Sequence, residues 1–288
     1  MSDGFETILG KLRAWWEKPA EKRYREQMAA LPTQLNEFGY DEFGFSPETA
    51  KAAVFLTAWL YKYYFRVETS GVHNIPAGRV MLIGNHSGQL PIDGVMIATA
   101  VVLEGKPPRA LRSMVERWVP TLPFVSVFMA RVGQILGTPE NARALLEHEE
   151  ALLVFPEGTR GINKLWWNRY QLQDFGLGFM RLALETKTPI VPVAVIGAEE
   201  QLPSVGNIKS LAKLMRMPAV PLLPQLLVPV LGWAPMPVKY RIHFGEPMRF
   251  EGDPNDEDAV IEAKVAEVRS RIQGMITYGL KNRRHVFW

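Results

Sequence analysis

The chain has 288 residues, 47% of them hydrophobic and 22% charged, with a formal net charge of only +3. That is enough apolar material for one large core with a smaller appendage, and so even a balance gives no reason to expect nucleic acid as a partner. There is no cysteine, which excludes disulfides, thiolate metal sites and a cysteine acyl-enzyme.

Residues 1–66 read as an N-terminal helical segment distinct from the unit formed by 67–288. The opening MSDGFETILG carries Asp3 and Glu6 and lacks the basic start and apolar run of a secretory signal, so a cytoplasmic location is expected. Ile8, Leu12, Trp15 and Trp16 form an apolar stripe beside Lys11, Arg13 and Lys18. Ser46-Pro47-Glu48 then starts a second helix, with Ser46 as N-cap and Pro47 at the first helical position. That helix carries Phe55, Leu56, Trp59, Leu60, Tyr63 and Tyr64. Two readings fit: a helical pair packed on the core, or an amphipathic membrane anchor with tryptophan and tyrosine at headgroup depth. The apolar run 52–65 is too short to cross a bilayer.

From Val67 the pattern changes. Arg79–Gly84 is a short apolar run typical of a buried strand, followed by a helix over Asp93–Leu103. Ala151–Phe155 and Pro189–Ile196 read as further buried strands, with a helix over Gly178–Thr186 between them. A fourth strand is expected at Lys239–Phe244, and a last helix over Glu257–Leu280. Strands alternating with helices predict an α/β unit with a mostly parallel sheet flanked by helices.

The sequence GNHSGQLPIDG falls between the first strand and its helix, where ligands bind in α/β sheets. Gly88 and Pro91 shape a turn that brings Asp93 back toward His86. A carboxylate on one imidazole nitrogen fixes the tautomer and leaves the other nitrogen as a general base. The competing reading is a structural His–Asp pair. FPEGTR follows directly on the next strand: Gly158 permits close backbone approach, Thr159 supplies a hydroxyl, and Arg160 offers a planar fork for phosphate. Glu157 either orients Arg160 or bonds a hydroxylated acceptor, and the competing reading is a turn closed by a local Glu–Arg pair.

The region 201–250 carries six basic side chains against one acidic one, Glu246. Lys209, Lys213 and Arg216 recur at helical spacing beside Ile208, Leu211, Ala212 and Met215. This predicts a basic amphipathic helix, read either as a solvated face or as an attachment to anionic lipid. The charge-free stretch 217–238 contains six prolines, so it is not a continuous spanning helix.

HSGQLPID, FPEGTR and PIVPVAV, in this order and at these separations, resemble the glycerolipid acyltransferases typified by lysophosphatidic acid acyltransferase. The resemblance spans roughly Val67 to Phe250. It implies a glycerol-3-phosphate acyltransferase-like α/β fold, with a membrane-docking helical segment before it. The implied activity is O-acyl transfer from acyl-CoA or acyl-carrier protein to a glycerolipid hydroxyl, with no covalent acyl-enzyme; since no Walker-type loop or histidine cluster suggests a nucleotide or metal site, no metal and no other cofactor are expected. His86 is then the base and Asp93 its partner, Glu157, Gly158, Thr159 and Arg160 bind the acceptor, and Pro192 belongs to the last block; Pro192 and Arg131 are counted as further candidate substrate contacts. Trp15, Trp16, Trp59, Lys209, Lys213 and Arg216 are the expected membrane contacts, placing the protein peripherally on the cytoplasmic face of a membrane.

Two departures stand out. Six residues separate His86 from Asp93 where the family pattern has four, and the Leu-Pro-Ile-Asp ending resembles the branch with neutral-glycerolipid acyltransferases. In GQILGTPEN, Pro139 takes the place of an arginine that contacts the acceptor's phosphate, with Arg131 and Arg143 as flanking substitutes. Lysophosphatidic acid, other lysophospholipids, monoacylglycerol and diacylglycerol therefore all stay open as acceptors. A serine hydrolase lacks its G-x-S-x-G elbow here, and GLGFMR has Arg181 where a dinucleotide loop needs its third glycine. A non-enzymatic lipid-binding scaffold is the alternative of another class.

Overall fold

The computed structural model describes residues 35–116, 124–214, 220–228, 232 and 234–288. The expected stripe with Trp15 and Trp16 lies outside them, as does Arg216.

Helix α1 (Pro47–Trp59) starts where its cap predicts: Ser46 Oγ accepts from the Thr49 N–H at 3.3 Å, and Pro47 sits in the first turn, where its missing N–H costs nothing. It runs into a wider turn over Leu60–Tyr64. Tyr61 and Phe65 are buried in the core, while Leu56, Trp59 and Tyr63 are exposed.

The centre of the molecule is a seven-stranded sheet in the order β1-β9-β6-β2-β5-β3-β4. Its strands are β1 (Glu68–Ser70), β2 (Val80–Gly84), β3 (Leu111–Val115), β4 (Gln134–Leu136), β5 (Ala151–Val154), β6 (Ile190–Ile196) and β9 (Arg241–Phe244). All pairings are parallel except β6 with β9. Both faces are covered, which is why the central strands read as unbroken apolar runs. Met81 and Ile83 point into one core with α4 (Pro139–Glu147), α6 (Gly178–Thr186) and the long α8 (Asp258–Asn282). Val80 and Leu82 point into the other with α2 (Ile92–Glu104), Tyr61 and Phe65.

Strands β1, β3 and β4 are absent from the expectation. β3 carries Arg112, which masks its apolar character. Arg112 is buried and pairs with Asp41 and with Glu150, 3.0 Å away, while its guanidinium lies over the Phe45 ring. Burial opposes the charge, yet the hydrogen bonds and field of Glu150 and Asp41 outweigh it and raise the Arg112 pKa. The segment before α1 is thereby tied to the sheet. β9 begins two residues later than expected and runs against β6.

The basic helix is described over Lys209–Leu214 (α7), beside a two-stranded ribbon of β7 (Gly206–Asn207) and β8 (Pro221–Leu222). Beyond it, Pro224–Leu227 forms a tight turn rather than a long helix, and Leu222, Leu226, Leu227 and Val228 are exposed. Among the described residues no helix is long and apolar enough to cross a membrane.

Candidate active site

Strands β2 and β5 are parallel neighbours in register, Ile83 opposite Val154. Their carboxyl ends therefore release Asn85–His86 and Phe155–Glu157 side by side, although some seventy residues separate the two motifs. Asn85 fixes the exit of β2 by a reciprocal pair with β6: its Nδ2 donates to Val195 O (3.0 Å) and its Oδ1 accepts from Val195 N (2.7 Å).

The six-residue spacing closes the dyad. His86 Nδ1 lies 2.8 Å from Asp93 Oδ2. Asp93 is wholly buried in the first turn of α2, where a carboxylate also meets the positive end of the helix. It accepts from the N–H groups of Ser87 and Gly94, each at 2.8 Å. An ionised carboxylate only accepts, so Nδ1 carries the ring hydrogen and Nε2 keeps its lone pair. The ring stacks on Phe155, and 14% of the side chain remains accessible. Gln201 Nε2 holds the loop by donating to Gly88 O at 3.1 Å, and Gln201 Oε1 accepts from the Tyr240 hydroxyl at 2.7 Å.

Glu157 does not pair with Arg160, contrary to the local-turn reading. Its Oε1 accepts from His86 N (3.0 Å) and its Oε2 from Gln173 N (2.8 Å), with Lys164 Nζ 2.9 Å away. The reason is geometric: the short helix α5 (Thr159–Ile162) turns Arg160 outward, where it is exposed and donates to Asp174 O at 3.0 Å. Gly158 has φ 57° and ψ −146°, a conformation reserved in practice for glycine. Gly161 is a requirement the motif reading missed. A Cβ there would sit 2.9 Å from His86 O and 2.8 Å from Glu157 Cβ, so the close approach of α5 to the base needs glycine.

Lys164 also reaches Glu199 Oε1 at 3.3 Å, and Glu199 Oε2 accepts from Tyr170 N at 2.7 Å. Burial pushes the Glu199 carboxyl up to about 7; Lys164 pulls against this and the neighbouring Glu157 adds to it. The next residue, Glu200, is held by Arg283 at 2.6 and 2.5 Å and accepts from the Tyr170 hydroxyl at 2.8 Å. Burial and Glu200 raise the Tyr170 phenol well above its ordinary range. No periodicity in the sequence signalled this network; the adjacent pair Glu199-Glu200 after a buried strand was the available sign.

The other expected acceptor contacts lie elsewhere. Arg131, the last residue of α3 (Val125–Arg131), stacks its guanidinium on Tyr40, 3.4 Å from the ring centroid, and donates to Gly44 O at 3.0 Å. Arg143 forms a two-point pair with Glu185 at 2.9 and 3.0 Å. Pro139 opens α4 behind the Thr138 cap. Pro192 is buried mid-strand in β6, opposite Ile83, and accepts from Gly245 N at 2.8 Å. Its missing N–H faces the point where β9 leaves the sheet, which is where proline is tolerated.

Comparison with known proteins gives a family and a fold. Residues 66–196 match the family model described as Acyltransferase. An uncharacterised protein of Mycobacterium tuberculosis is 38% identical over 259 residues, covering 88% of this chain and 72% of that protein. A Gallus gallus protein, described as a DGAT1/2-independent enzyme synthesizing storage lipids, is 27% identical over 73% of this chain and 59% of its own length. Among solved structures, the lysophosphatidic acid acyltransferase PlsC of Thermotoga maritima shares the fold. Its TM-score is 0.54 at 18% identity, covering 83% of this chain and 80% of that one.

Proposed function

This chain belongs to the acyltransferase family and is an acyltransferase, and on that premise we propose that it moves a fatty acyl group from a thioester donor to a glycerolipid hydroxyl, with His86 as general base. The observation that carries this reading is the 2.8 Å contact between His86 and a buried Asp93, beside a ring that stays partly accessible. His86 Nε2 takes the proton of the acceptor hydroxyl as its oxygen attacks the thioester carbonyl. The tetrahedral adduct then collapses with cleavage of the C–S bond, and His86 returns the proton to the departing thiolate. Asp93 stabilises the imidazolium in between, a contribution of the order of 10²–10⁴ in rate. The donor is acyl-CoA or acyl-carrier protein, and no protein nucleophile is acylated.

A neutral acceptor, monoacylglycerol or diacylglycerol, is the reading the cations favour. Arg131 and Arg143 are occupied by Tyr40, Gly44 and Glu185, and Lys164 is enclosed between two carboxylates. The relative described as synthesizing storage lipids points the same way. One observation supports a lysophospholipid instead: Arg160 projects outward from the motif that follows β5 and keeps donors to spare.

Residues 1–66 dock the protein on a membrane in this proposal, as a peripheral attachment at the cytoplasmic face. Leu56, Trp59 and Tyr63 support it, being exposed large side chains one turn apart on α1 and its extension, and Lys213 adds an exposed charge. The test of the chemistry is radiolabelled palmitoyl-CoA, then acyl-carrier protein, against lysophosphatidic acid, other lysophospholipids, monoacylglycerol and diacylglycerol in mixed micelles. One acceptor should be acylated by the wild type and not by His86→Ala. Silence with every donor and acceptor, alongside intact lipid binding, refutes the proposal and leaves a lipid-binding scaffold.

A further inference from the structure

Lys164 lies outside all three motifs that carry the family resemblance, yet it is buried at the junction of three loops. Its Nζ meets Glu157 Oε2 at 2.9 Å and Glu199 Oε1 at 3.3 Å. Its carbonyl accepts from Gln89 Nε2 at 2.9 Å, and Ile162 O accepts from Gln89 N at 3.2 Å. The segment 162–164 thus grips the loop that bears His86 from outside, while the Lys164 side chain holds Glu157 beneath it. Glu157 is 1% exposed, and both of its oxygens are taken by His86 N, Gln173 N and Lys164. The Glu157 side chain is closed off from solvent, and its carboxylate serves the loops around it.

We propose that Lys164 is a positioning residue for the His86 base, neutralising Glu157 so that this carboxylate stays fixed against the His86 backbone N–H; the inference rests on the acyl-transfer reading above. A buried carboxylate is tolerated only if paired, so removing the ammonium releases Glu157 toward water and lets the His86 backbone move with it. Glu199, the second carboxylate on the same ammonium, keeps Lys164 from swinging away. Displacement of the base by an ångström is enough to cost about 10- to 100-fold in turnover without altering how either substrate binds.

The experiment is a double-mutant cycle in the full chain, with kcat and KM measured for Glu157→Gln, Lys164→Met and the pair together. Each single change should lower kcat about 10-fold or more with KM within about threefold, and the double variant should be no worse than the poorer single one. Multiplying effects, an unchanged kcat, or a raised KM at constant kcat each overturn the proposal; the last would make Lys164 a substrate contact. If Lys164→Met does not fold, Lys164→Gln takes its place, since it keeps a donor toward Glu157 without the charge. A second readout needs no substrate: the Nδ1 proton between His86 and Asp93, a downfield signal in histidine-labelled protein that His86→Ala identifies. It should broaden or vanish in the Lys164 variant while Asp93 is intact, and its persistence unchanged refutes the proposal. A wild type that transfers no acyl group, yet shows this coupling, would sink the acyl-transfer reading alone.

Discussion

The imidazole of His86 lies flat against the ring of Phe155, with centroids 4.1 Å apart and planes 10° from parallel. Phe155 itself is slotted between two glycines: a Cβ on Gly84 would come within 3.2 Å of its ring, and one on Gly94 within 3.3 Å. The aromatic residue that opens FPEGTR is therefore the wall that orients the base. Phe155→Leu keeps most of the volume and should cost under about 1.5 kcal/mol of stability. It should lower kcat about tenfold, because a branched aliphatic side chain offers no flat surface to the imidazole. Urea unfolding beside steady-state kinetics separates the two effects; an unchanged kcat would reduce Phe155 to a space-filler.

Asp93→Asn tests the tautomer directly. The amide presents an N–H₂ group where one carboxylate oxygen now accepts, so the ring is free to flip its hydrogen to Nε2 and lose its basic face. We expect kcat to fall by about 10²–10⁴ with little change in KM. Ring nitrogen shifts of His86 in ¹⁵N-labelled protein would show the hydrogen on Nε2. A variant that keeps wild-type turnover would remove Asp93 from the mechanism.

Much of this site was legible because its parts are local in sequence. A strand, a loop histidine, an aspartate at a helix start and a glycine-bearing turn are each encoded within ten residues. The parallel pairing of β2 with β5 then brings them together, as alternating strands and helices imply. What stayed hidden is non-local. Glu157 turned away from Arg160 because its partners, Lys164 and Gln173, follow only after a short helix that no periodicity announces. β3 was hidden because Arg112, a charge in the middle of a strand, finds its counter-charges in Asp41 and Glu150. A buried charge advertises itself only once its partner is known.

The exposed face of α1 makes a prediction about membranes. Trp59 is 42% exposed and Leu56 62%, on a helix whose other side packs on the core. Moving a side chain of this size from water to an apolar surface gains about 1.5–3 kcal/mol. Trp59→Glu should therefore weaken sedimentation with phosphatidylglycerol-containing vesicles by roughly 10- to 100-fold, while turnover of a short-chain, micelle-free substrate is retained. Equal vesicle binding by wild type and variant would show that this face is not a membrane contact.

Glu199 supplies a prediction for stability against pH. Its carboxyl titrates near 7 in the folded protein against an ordinary 4.5, so the folded state holds a proton that the unfolded chain has already lost between those values. Stability rises with pH only where the unfolded state binds more protons; here the folded state binds more, and the sign is reversed. The Glu199 contribution is most favourable below pH 4.5, falls as pH rises toward 7, and is level above it. A displacement of that size corresponds to roughly 3 kcal/mol, from about 1.4 kcal/mol per unit. Glu199→Gln removes the titration while keeping an acceptor for Tyr170 N. The wild type should thus lose about 2–3 kcal/mol relative to the variant between pH 4.5 and 8, read from urea unfolding midpoints. Parallel curves would mean that the carboxyl is already ionised throughout, held down by Lys164 more firmly than burial pushes it up.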